Sequence, residues 1–333
     1  MPRWLRIFLI VIATLSVVYF VGPKPPVPVY DHQLPAVPPA GPGLDSFVHR
    51  REAMHKLKPD NQARIVWYDT AFRKTPYSVV YLHGFSASQE EGNPVHRNFA
   101  KRYGCNLYLS RLDAHGIDTS APLLTMTAEQ LWKDAEEALS IGLAIGEKVI
   151  IIGTSTGGTL ALRLAAKYPD KVFALINMSP NIEINDDLAF LANNPWGLQL
   201  ARLVSGGDFR QGKDANPEEA KYWYNSYRLE AVVQLQNLLE TTMTPETFAA
   251  VRQPVLTLYY YKDEEDQDQT VRVSAILRMN SGLGTPPGLK DALPMPEVGA
   301  HVMGCSLTSH DLPSVEKAIY AFAQDKLHLT PVQ

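Results

Sequence analysis

"KVIIIGTSTGGTLALRLAAKYP", residues 148–169, carries the strongest structural signal in the chain. Its first residues are β-branched and apolar, which is typical of a strand buried on both faces. A cluster of glycine, serine and threonine follows, and then a run of good helix formers that ends at Pro169. The segment therefore predicts a strand, a sharp turn and a helix, with Ser155 on the turn.

The segments around this unit repeat the alternation of strand and helix. Apolar, β-branched runs predict further strands at 63–69, 77–83, 105–112, 171–179, 254–262 and, more weakly, 289–296. Amphipathic stretches predict helices at 94–103, 127–146 and 313–326, and Thr127 with Gln130 predicts a capping box for the second of these. This order predicts an α/β fold with a mostly parallel sheet covered by helices on both faces.

One interval interrupts the alternation. Residues 181–240 contain no convincing strand pattern, and their apolar stretches read as helices separated by glycine and asparagine. An insertion at the carboxyl ends of parallel strands lies where such sheets bind ligands. We therefore expect a helical cap over an apolar pocket, and the alternative is additional packing without a functional role.

The N-terminus differs in composition from the rest. Residues 1–22 combine Arg3 and Arg6 with an uncharged apolar run, and residues 23–59 begin with a dense series of prolines. Basic residues before an apolar run predict a membrane anchor or a signal peptide, with the remainder exported. Because no small-x-small cleavage site is evident, we expect an anchor in the cytoplasmic membrane, a Pro-rich linker, and a folded domain at 60–333 on the exported side. The domain would be secreted if the segment were cleaved.

Composition excludes several classes of protein. The chain has 333 residues, of which 45% are apolar, and its formal net charge is −4, so a sizeable core is expected and nucleic acid is not an expected partner. Cys105 and Cys305 are too few for a disulfide framework or a zinc site. No H-E-x-x-H motif or Cys/His cluster is present, so we expect neither a metal nor an organic cofactor.

The glycines around Ser155 indicate a nucleophile. Residues 153–157 read Gly-Thr-Ser-Thr-Gly, which matches G-x-S-x-G between a strand and a helix. Small neighbours leave room for a turn that lifts the serine hydroxyl above the sheet, and the N-terminus of the following helix stabilises developing negative charge. A phosphate-binding loop would need Gly-Lys-Ser/Thr, and the spacing does not fit the dinucleotide motif G-x-G-x-x-G. A glycine-rich packing turn is the remaining alternative.

The chain resembles serine hydrolases of the α/β-hydrolase fold, in particular those similar to monoacylglycerol lipases and carboxylesterases. The resemblance covers about residues 60–330 and rests on "GTSTGG", "VVYLHGF", "LSRLDAHG", "YYYKDEEDQDQTVRV" and "PEVGAHVMG". These pieces occur in the order serine, acid, histidine that the family requires.

The resemblance implies roles for several residues. Ser155 would be the nucleophile, and the backbone N–H groups of Phe85 and Thr156 would form the oxyanion hole. The base is expected on the loop before the last helix, where His301 fits better than His310. His83 and His115 are expected to be structural.

The acid follows the strand at 254–262, where several carboxylates occur together. Asp263 stands where the family often places its acid, whereas Asp268 satisfies the family's frequent Asp-x-x-Val pattern through Val271. Val271 would pack under the loop, and the equivalent residue after Asp263 is Asp266. We therefore expect Asp268 to be the acid, in a loop longer than usual.

The expected function is cleavage of an ester through an acyl-enzyme on Ser155, with a small-molecule or lipid ester as substrate. The aromatic residues of the expected cap suggest an apolar acyl chain; they are Tyr222, Trp223, Tyr224 and Tyr227. An amidase or peptidase with the same triad is an alternative. A second is a membrane-tethered binding module on an inactive hydrolase scaffold. Haloalkane dehalogenases and epoxide hydrolases are disfavoured, because they carry an aspartate at the position of Ser155.

Overall fold

The computed structural model describes residues 1–212 and 216–332. Its strands are β1 (Arg64–Val66), β2 (Thr75–Leu82), β3 (Asn106–Leu109), β4 (Gly146–Thr154), β5 (Val172–Met178), β6 (Phe209–Gln211), β7 (Ser226–Arg228), β8 (Val255–Tyr259) and β9 (Lys290–Pro294). Its α-helices are α1 (Arg3–Phe20), α2 (Pro42–Glu52), α3 (Val95–Arg102), α4 (Ala128–Ile145), α5 (Thr156–Lys167), α6 (Gly197–Ser205), α7 (Glu219–Tyr222), α8 (Leu229–Thr242), α9 (Pro245–Ala250), α10 (Val273–Gly282) and α11 (Leu312–Asp325).

The main sheet has the strand order β1-β3-β2-β4-β5-β8-β9. Only β1, at one edge, runs antiparallel to its neighbour, and the other pairings are parallel. The predicted α/β fold is therefore confirmed. Because parallel strands end at the same edge, the loops after β2, β4 and β8 meet above the centre of the sheet.

Alternating residues of β4 show that both faces of the sheet are covered. Val149 and Ile151 belong to one hydrophobic cluster, which α4, α5 and α8 help to form. Ile150 and Ile152 belong to a second cluster on the other face, with residues of α3 and α11. Burying one such side chain contributes roughly 1.5–3 kcal/mol. The sequence "KVIII" thus places a rigid strand beneath the turn at Ser155.

The hydrogen bonds at the N-terminus of α4 match the predicted capping box only in part. The backbone N–H of Gln130 donates to Thr127 Oγ1 at 3.1 Å, as a capping box requires. The Gln130 side chain, however, donates to Asp134 Oδ1 rather than returning to the N-terminal residue. Only one half of the predicted capping box forms.

The segment 181–240 contains two strands that the sequence analysis did not predict. β6 and β7 pair in an antiparallel two-stranded sheet, with Arg210 opposite Tyr227. The expectation of helices alone was therefore wrong here. A strand of three residues is too short to show an alternating pattern, and the stretch around β7 also fits a helical spacing. The α-helices α6 and α8 account for most of the remaining structure in this segment.

The N-terminal region has an apolar helix followed by a segment that packs on the domain. α1 has a mean hydropathy of 1.8 over 18 residues and no buried residue, so its length and composition are sufficient to cross a membrane. The proline-rich stretch is not a free spacer, since Asn237 Nδ2 and Trp132 Nε1 donate to its carbonyl oxygens. α2 buries Leu44 and Val48 in the core. The boundary expected at residue 59 is therefore too late, and the folded domain includes α2.

Candidate active site

Ser155 occupies a strained turn between β4 and α5. Its backbone angles are φ 52° and ψ −117°, which a residue with a side chain rarely adopts. Such a conformation costs on the order of 1–3 kcal/mol and persists where surrounding bonds enforce it. The N–H of Ser155 donates to the Met178 carbonyl at 3.0 Å, and its own carbonyl accepts from Gly158 and Asn181, each at 2.9 Å. The fold therefore holds this serine in a fixed, high-energy geometry.

Two glycines make the turn possible. A Cβ atom at Gly157 would lie 1.9 Å from the carbonyl oxygen of Leu82, on the neighbouring strand. A Cβ atom at Gly153 would lie 2.7 Å from backbone atoms of Gly157. Since the obstructing atoms are backbone, they cannot move aside cheaply. The G-x-S-x-G spacing thus reflects close contact between the turn and its neighbours.

His301 and Asp268 form a hydrogen-bonded pair. His301 Nδ1 lies 2.6 Å from Asp268 Oδ2, and Asp268 Oδ1 accepts the backbone N–H groups of Thr270 and Val271 at 2.8 and 3.1 Å. Burial raises the pKa of Asp268, but the imidazole and these N–H groups hold that pKa below its usual value. Burial lowers the pKa of His301, but the charge and hydrogen bond of Asp268, together with the charge of Glu91, outweigh burial and leave that pKa above its usual value.

The loop after β8 explains how Asp268 reaches this position. Tyr261 and Gln267 form a β-bridge, and the N–H of Asp268 donates to the Tyr260 carbonyl at 3.1 Å. The residues between Tyr261 and Gln267 therefore form a loop that leaves the strand end and returns to it. Val271 is fully buried, as the sequence analysis expected.

Asp263 lies on the loop between Tyr261 and Gln267. It is exposed, and its Oδ1 accepts the N–H groups of Glu265 and Asp266 at 2.9 and 2.8 Å. These contacts stabilise the local turn. The structure therefore brings Asp268, rather than Asp263, to His301.

Within the described residues, the backbone N–H groups of Phe85 and Thr156 have no intramolecular acceptor. Several N–H groups near them are engaged: Gly84 N–H donates to Glu91 at 2.5 Å, Ser86 N–H to His115 at 3.0 Å, and Ser155 N–H to Met178 at 3.0 Å. Among residues 1–212 and 216–332, no acceptor pairs with the N–H of Phe85 or Thr156. Both groups are therefore available to an oxygen atom bound beside Ser155.

The other candidate histidines contact the backbone. His83 Nδ1 pairs with the Gly84 carbonyl at 2.9 Å, and its Nε2 accepts the N–H of Leu112 at 3.0 Å. His115 Nδ1 pairs with the Asp113 carbonyl at 2.7 Å. Burial lowers the pKa of His83 to about 4 and holds that of His115 well below its usual value, so both rings stay neutral. His310 donates its backbone N–H to Val298, just before α11.

Ser155 and His301 line a common cavity of about 660 Å³. Its wall opposite the sheet comes from the segment 181–240 and is mainly aliphatic; it includes Leu188, Leu191, Leu200, Val204, Leu229 and Leu235. Of the four aromatic residues singled out in the sequence, Trp223 and Tyr227 line the cavity. Tyr224 instead donates its hydroxyl to the Ile117 carbonyl at 2.6 Å, and Tyr222 contacts Asp60.

A metal is not needed to account for these side chains. In the part of the chain that the structure describes, no three His, Cys, Asp or Glu residues are grouped so that they could hold a metal ion. Cys105 and Cys305 are both buried and free.

Glu91 also lines this cavity, although the sequence alone did not identify it as a site residue. This carboxyl is 2% exposed, and burial raises its pKa to about 7. The only sequence signal is its position six residues after Phe85, in the loop that follows "HGF". A polar loop offers no pattern that tells an inward carboxylate from a solvated one, and the adjacent Glu90 was an equal candidate.

Comparison with known sequences gives one family and two relatives. The family model for the alpha/beta hydrolase fold matches residues 77–273. A thermostable monoacylglycerol lipase of Bacillus sp. (strain H-257) is 26% identical over 170 residues, which are 50% of this chain and 63% of that protein. A 2-hydroxy-6-oxononadienedioate/2-hydroxy-6-oxononatrienedioate hydrolase of Pseudomonas sp. is 28% identical over 100 residues, 30% of this chain and 35% of that protein. The chain thus matches less than two thirds of either relative.

Solved structures share the fold at lower identity. A structure from a study of the metagenome-derived lipolytic enzymes LipS and LipT has a TM-score of 0.65 at 20% identity, over 81% of this chain and 99% of that one. A monoglyceride lipase from Saccharomyces cerevisiae has a TM-score of 0.57 at 14% identity, over 81% and 92%. At these identities the likeness concerns the fold alone. Together with the family match over more than half of its length, the seven-stranded sheet shows that the chain belongs to the α/β-hydrolase fold family.

Proposed function

We propose that the protein is a serine hydrolase that cleaves carboxylic esters, with Ser155 as nucleophile, His301 as general base and Asp268 as the residue that orients the imidazole. The observation that carries this proposal is the 2.6 Å contact between His301 Nδ1 and Asp268, in a cavity that Ser155 also lines. A carboxylate at Nδ1 holds the proton there and leaves Nε2 free to accept a proton from a serine hydroxyl.

The proposed reaction proceeds in two stages. His301 accepts the hydroxyl proton as Ser155 Oγ attacks the ester carbonyl, and the N–H groups of Phe85 and Thr156 bind the oxyanion that forms. The imidazolium then protonates the leaving alcohol, and an acyl-enzyme remains on Ser155. His301 then takes a proton from water as the water attacks the acyl carbon. The bond from that carbon to Ser155 Oγ breaks, and His301 returns the proton to Oγ as the acid is released. Asp268 stabilises the imidazolium in both stages.

The cavity supports a substrate with an apolar acyl chain. Its walls are mainly aliphatic, and its volume of about 660 Å³ falls within the usual range for sites that bind small molecules. The Bacillus relative is named a monoacylglycerol lipase, which supports a lipid ester. The segment 181–240 serves in this proposal as the cap that closes the cavity.

We also propose that α1 anchors the protein in the cytoplasmic membrane, with the catalytic domain on the exported side. Arg3 and Arg6 precede the apolar run and favour retention of the N-terminus in the cytoplasm. The end of α1 meets the cap, since Trp196 Nε1 donates to the Val18 carbonyl at 3.0 Å. Several cap residues near this contact expose large apolar side chains: Leu188, Phe190, Leu200, Leu203 and Val204. An apolar cap beside an anchor suits a substrate drawn from the bilayer.

The test is hydrolysis of p-nitrophenyl esters of increasing acyl length. We expect turnover by the wild type, with a preference for medium or long chains over acetate, and a loss on the order of 10⁴-fold or more in Ser155→Ala and in His301→Ala. Both variants should unfold at the same temperature as the wild type within a few degrees. Substantial turnover by Ser155→Ala would refute the mechanism, and faster cleavage of the matching anilides would favour an amidase. A wild type without turnover would favour a binding module.

A further inference from the structure

Glu91 is a buried carboxylate beside the proposed catalytic residues. It lines the cavity together with Ser155 and His301. A Cβ atom at Gly84 would lie 2.7 Å from Glu91 Oε1 and 3.0 Å from Ser155 Cβ. Both side chains therefore lie close to Gly84. The mechanism above assigns no step to this carboxylate, although burying it has a free-energy cost.

The carboxylate holds the loop that carries Phe85. Glu91 Oε2 accepts the N–H of Gly84 at 2.5 Å. On the other side of Phe85, the N–H of Ser86 is held by His115 at 3.0 Å. The peptide groups before and after the one that carries the Phe85 N–H are therefore both fixed. The N–H of Phe85 lies between them and has no acceptor in the part of the chain that the structure describes.

The turn that carries Glu91 is also joined to the loop that carries His301. The N–H of Ser306 donates to the Asn93 carbonyl at 2.9 Å, and Pro94 and Cys305 form a β-bridge. A Cβ atom at Gly304 would lie 3.5 Å from the Cα of Gly92. One short segment thus contacts both the oxyanion loop and the histidine loop.

The groups facing Glu91 leave His301 as its ionic partner. Tyr81 faces Glu91 from β2, and Cys305 faces it from the loop that carries His301. Burial holds the pKa of Tyr81 well above its usual value and raises the pKa of the Cys305 thiol to about 11. Both groups therefore stay neutral. His96 packs on the Tyr81 ring at 4.5 Å, and burial lowers its pKa to about 3. On its far side, His301 faces Asp268. The charge of Glu91 favours the protonated form of His301.

From these contacts we infer that Glu91 is a positioning residue of the proposed hydrolase: its hydrogen bond to Gly84 fixes the oxyanion loop, and its charge adds to that of Asp268 in stabilising the His301 imidazolium. The inference rests on the proposed function. It adds a second carboxylate, from the loop after β2, to the control of the histidine.

Two substitutions separate the hydrogen bond from the charge. Glu91→Gln keeps an acceptor for the Gly84 N–H and removes the charge. Glu91→Ala removes both and leaves that N–H buried without a partner. Glu90→Gln is the matched control, because Glu90 lies on the same turn and accepts from Asn93 Nδ2 at 2.8 Å without lining the cavity. The measurement is kcat/KM for one p-nitrophenyl ester between pH 5 and 9, with the unfolding temperature of each variant.

The sign of the expected shift follows from the base being neutral His301. Removing a nearby negative charge lowers the pKa of His301, so the acid limb of kcat/KM should move to lower pH in Glu91→Gln. The shift should be less than about one pH unit, because the wild-type Glu91, with a pKa of about 7, is itself partly protonated on that limb. Its plateau should stay within about tenfold of the wild type, because the hydrogen bond remains. In Glu91→Ala the plateau kcat should fall by a further factor of about 10 to 100, as expected for the loss of a buried hydrogen-bond partner.

Several outcomes would overturn the inference. An acid limb in Glu91→Gln that is unchanged or moves to higher pH would refute the role of the charge. An equal shift in Glu90→Gln would assign the effect to the turn as a whole. If Glu91→Ala does not fold, the pH profile of Glu91→Gln still tests whether the charge of Glu91 acts on His301. Failure here is distinct from failure of the proposed function, because Ser155→Ala remains inactive in the first case and retains activity in the second.

Discussion

Replacing Asp268 by asparagine is the most informative change to the proposed triad. Asp268 Oδ1 accepts two backbone N–H groups, from Thr270 and Val271, and Oδ2 accepts from His301. An asparagine can retain the two backbone bonds only by placing its NH₂ group at the position of Oδ2. That group donates hydrogen bonds, so the imidazole would have to present an unprotonated Nδ1 to it. The ring proton would then lie on Nε2, where the base must accept the serine proton.

The magnitude follows from this change of tautomer. We expect Asp268→Asn to lower kcat by roughly 10³ to 10⁴, which corresponds to about 4 to 5.5 kcal/mol of transition-state stabilisation. KM should change little, because Asp268 is buried behind His301 and does not line the cavity. The fold should remain, since the asparagine keeps the size of the side chain and the two backbone hydrogen bonds.

The assay compares Asp268→Asn with Asp263→Asn on one p-nitrophenyl ester at pH 7 to 8. Asp263 is an exposed carboxylate whose contacts are confined to its own turn, so its variant should lose less than about tenfold. An inactive Asp263 variant beside a nearly normal Asp268 variant would refute the assignment of the acid.

Three further predictions concern the turn, the histidine and the N-terminus. Gly157→Ala should prevent folding or lower the unfolding temperature by many degrees, because its Cβ would lie 1.9 Å from the Leu82 carbonyl oxygen. Gly43→Ala should have little effect, because the space around the added atom is open, and equal unfolding temperatures of the two variants by calorimetry would contradict this prediction. The pKa of His301 lies above its usual value, so kcat/KM should rise with pH with a midpoint above about 6.5, and a midpoint well below that would contradict the pairing with Asp268. Deleting residues 1–22 should give a soluble, active enzyme, whereas the full-length chain should sediment with membranes; a full-length protein found wholly in the soluble fraction would refute the anchor.

The sheet and the serine turn could be predicted because their sequence signals are local. "KVIII" and "GTSTGG" encode a buried strand and a crowded turn within a few residues, and the structure has both. The strand at 63–69 was expected longer than β1, which has three residues at the edge of the sheet. Edge strands with only one neighbour are short, and their ends lack a pattern that marks them.

The pairing of β6 with β7 and the position of Glu91 could not be predicted, because their determinants are distant in the sequence. Tyr227 pairs with Arg210, and no periodicity within either short strand indicates this contact. Glu91 faces the cavity because its turn packs against residues 304–306, more than 200 positions away. The preference for Asp268 over Asp263 came from the Asp-x-x-Val pattern, whereas the bridge between Tyr261 and Gln267, which returns the chain to the strand end, had no signal in the sequence.

The central claim is that His301, paired with Asp268, activates Ser155 as a nucleophile. Labelling with a fluorophosphonate, followed by mass spectrometry of the digested protein, tests it most directly, because the reagent reacts with an activated serine and needs no knowledge of the substrate. The account predicts one adduct, on the peptide that contains Ser155, and a rate of labelling that falls by several orders of magnitude in His301→Ala. An unlabelled wild-type protein, or an adduct on another residue with Ser155 unmodified, would contradict it.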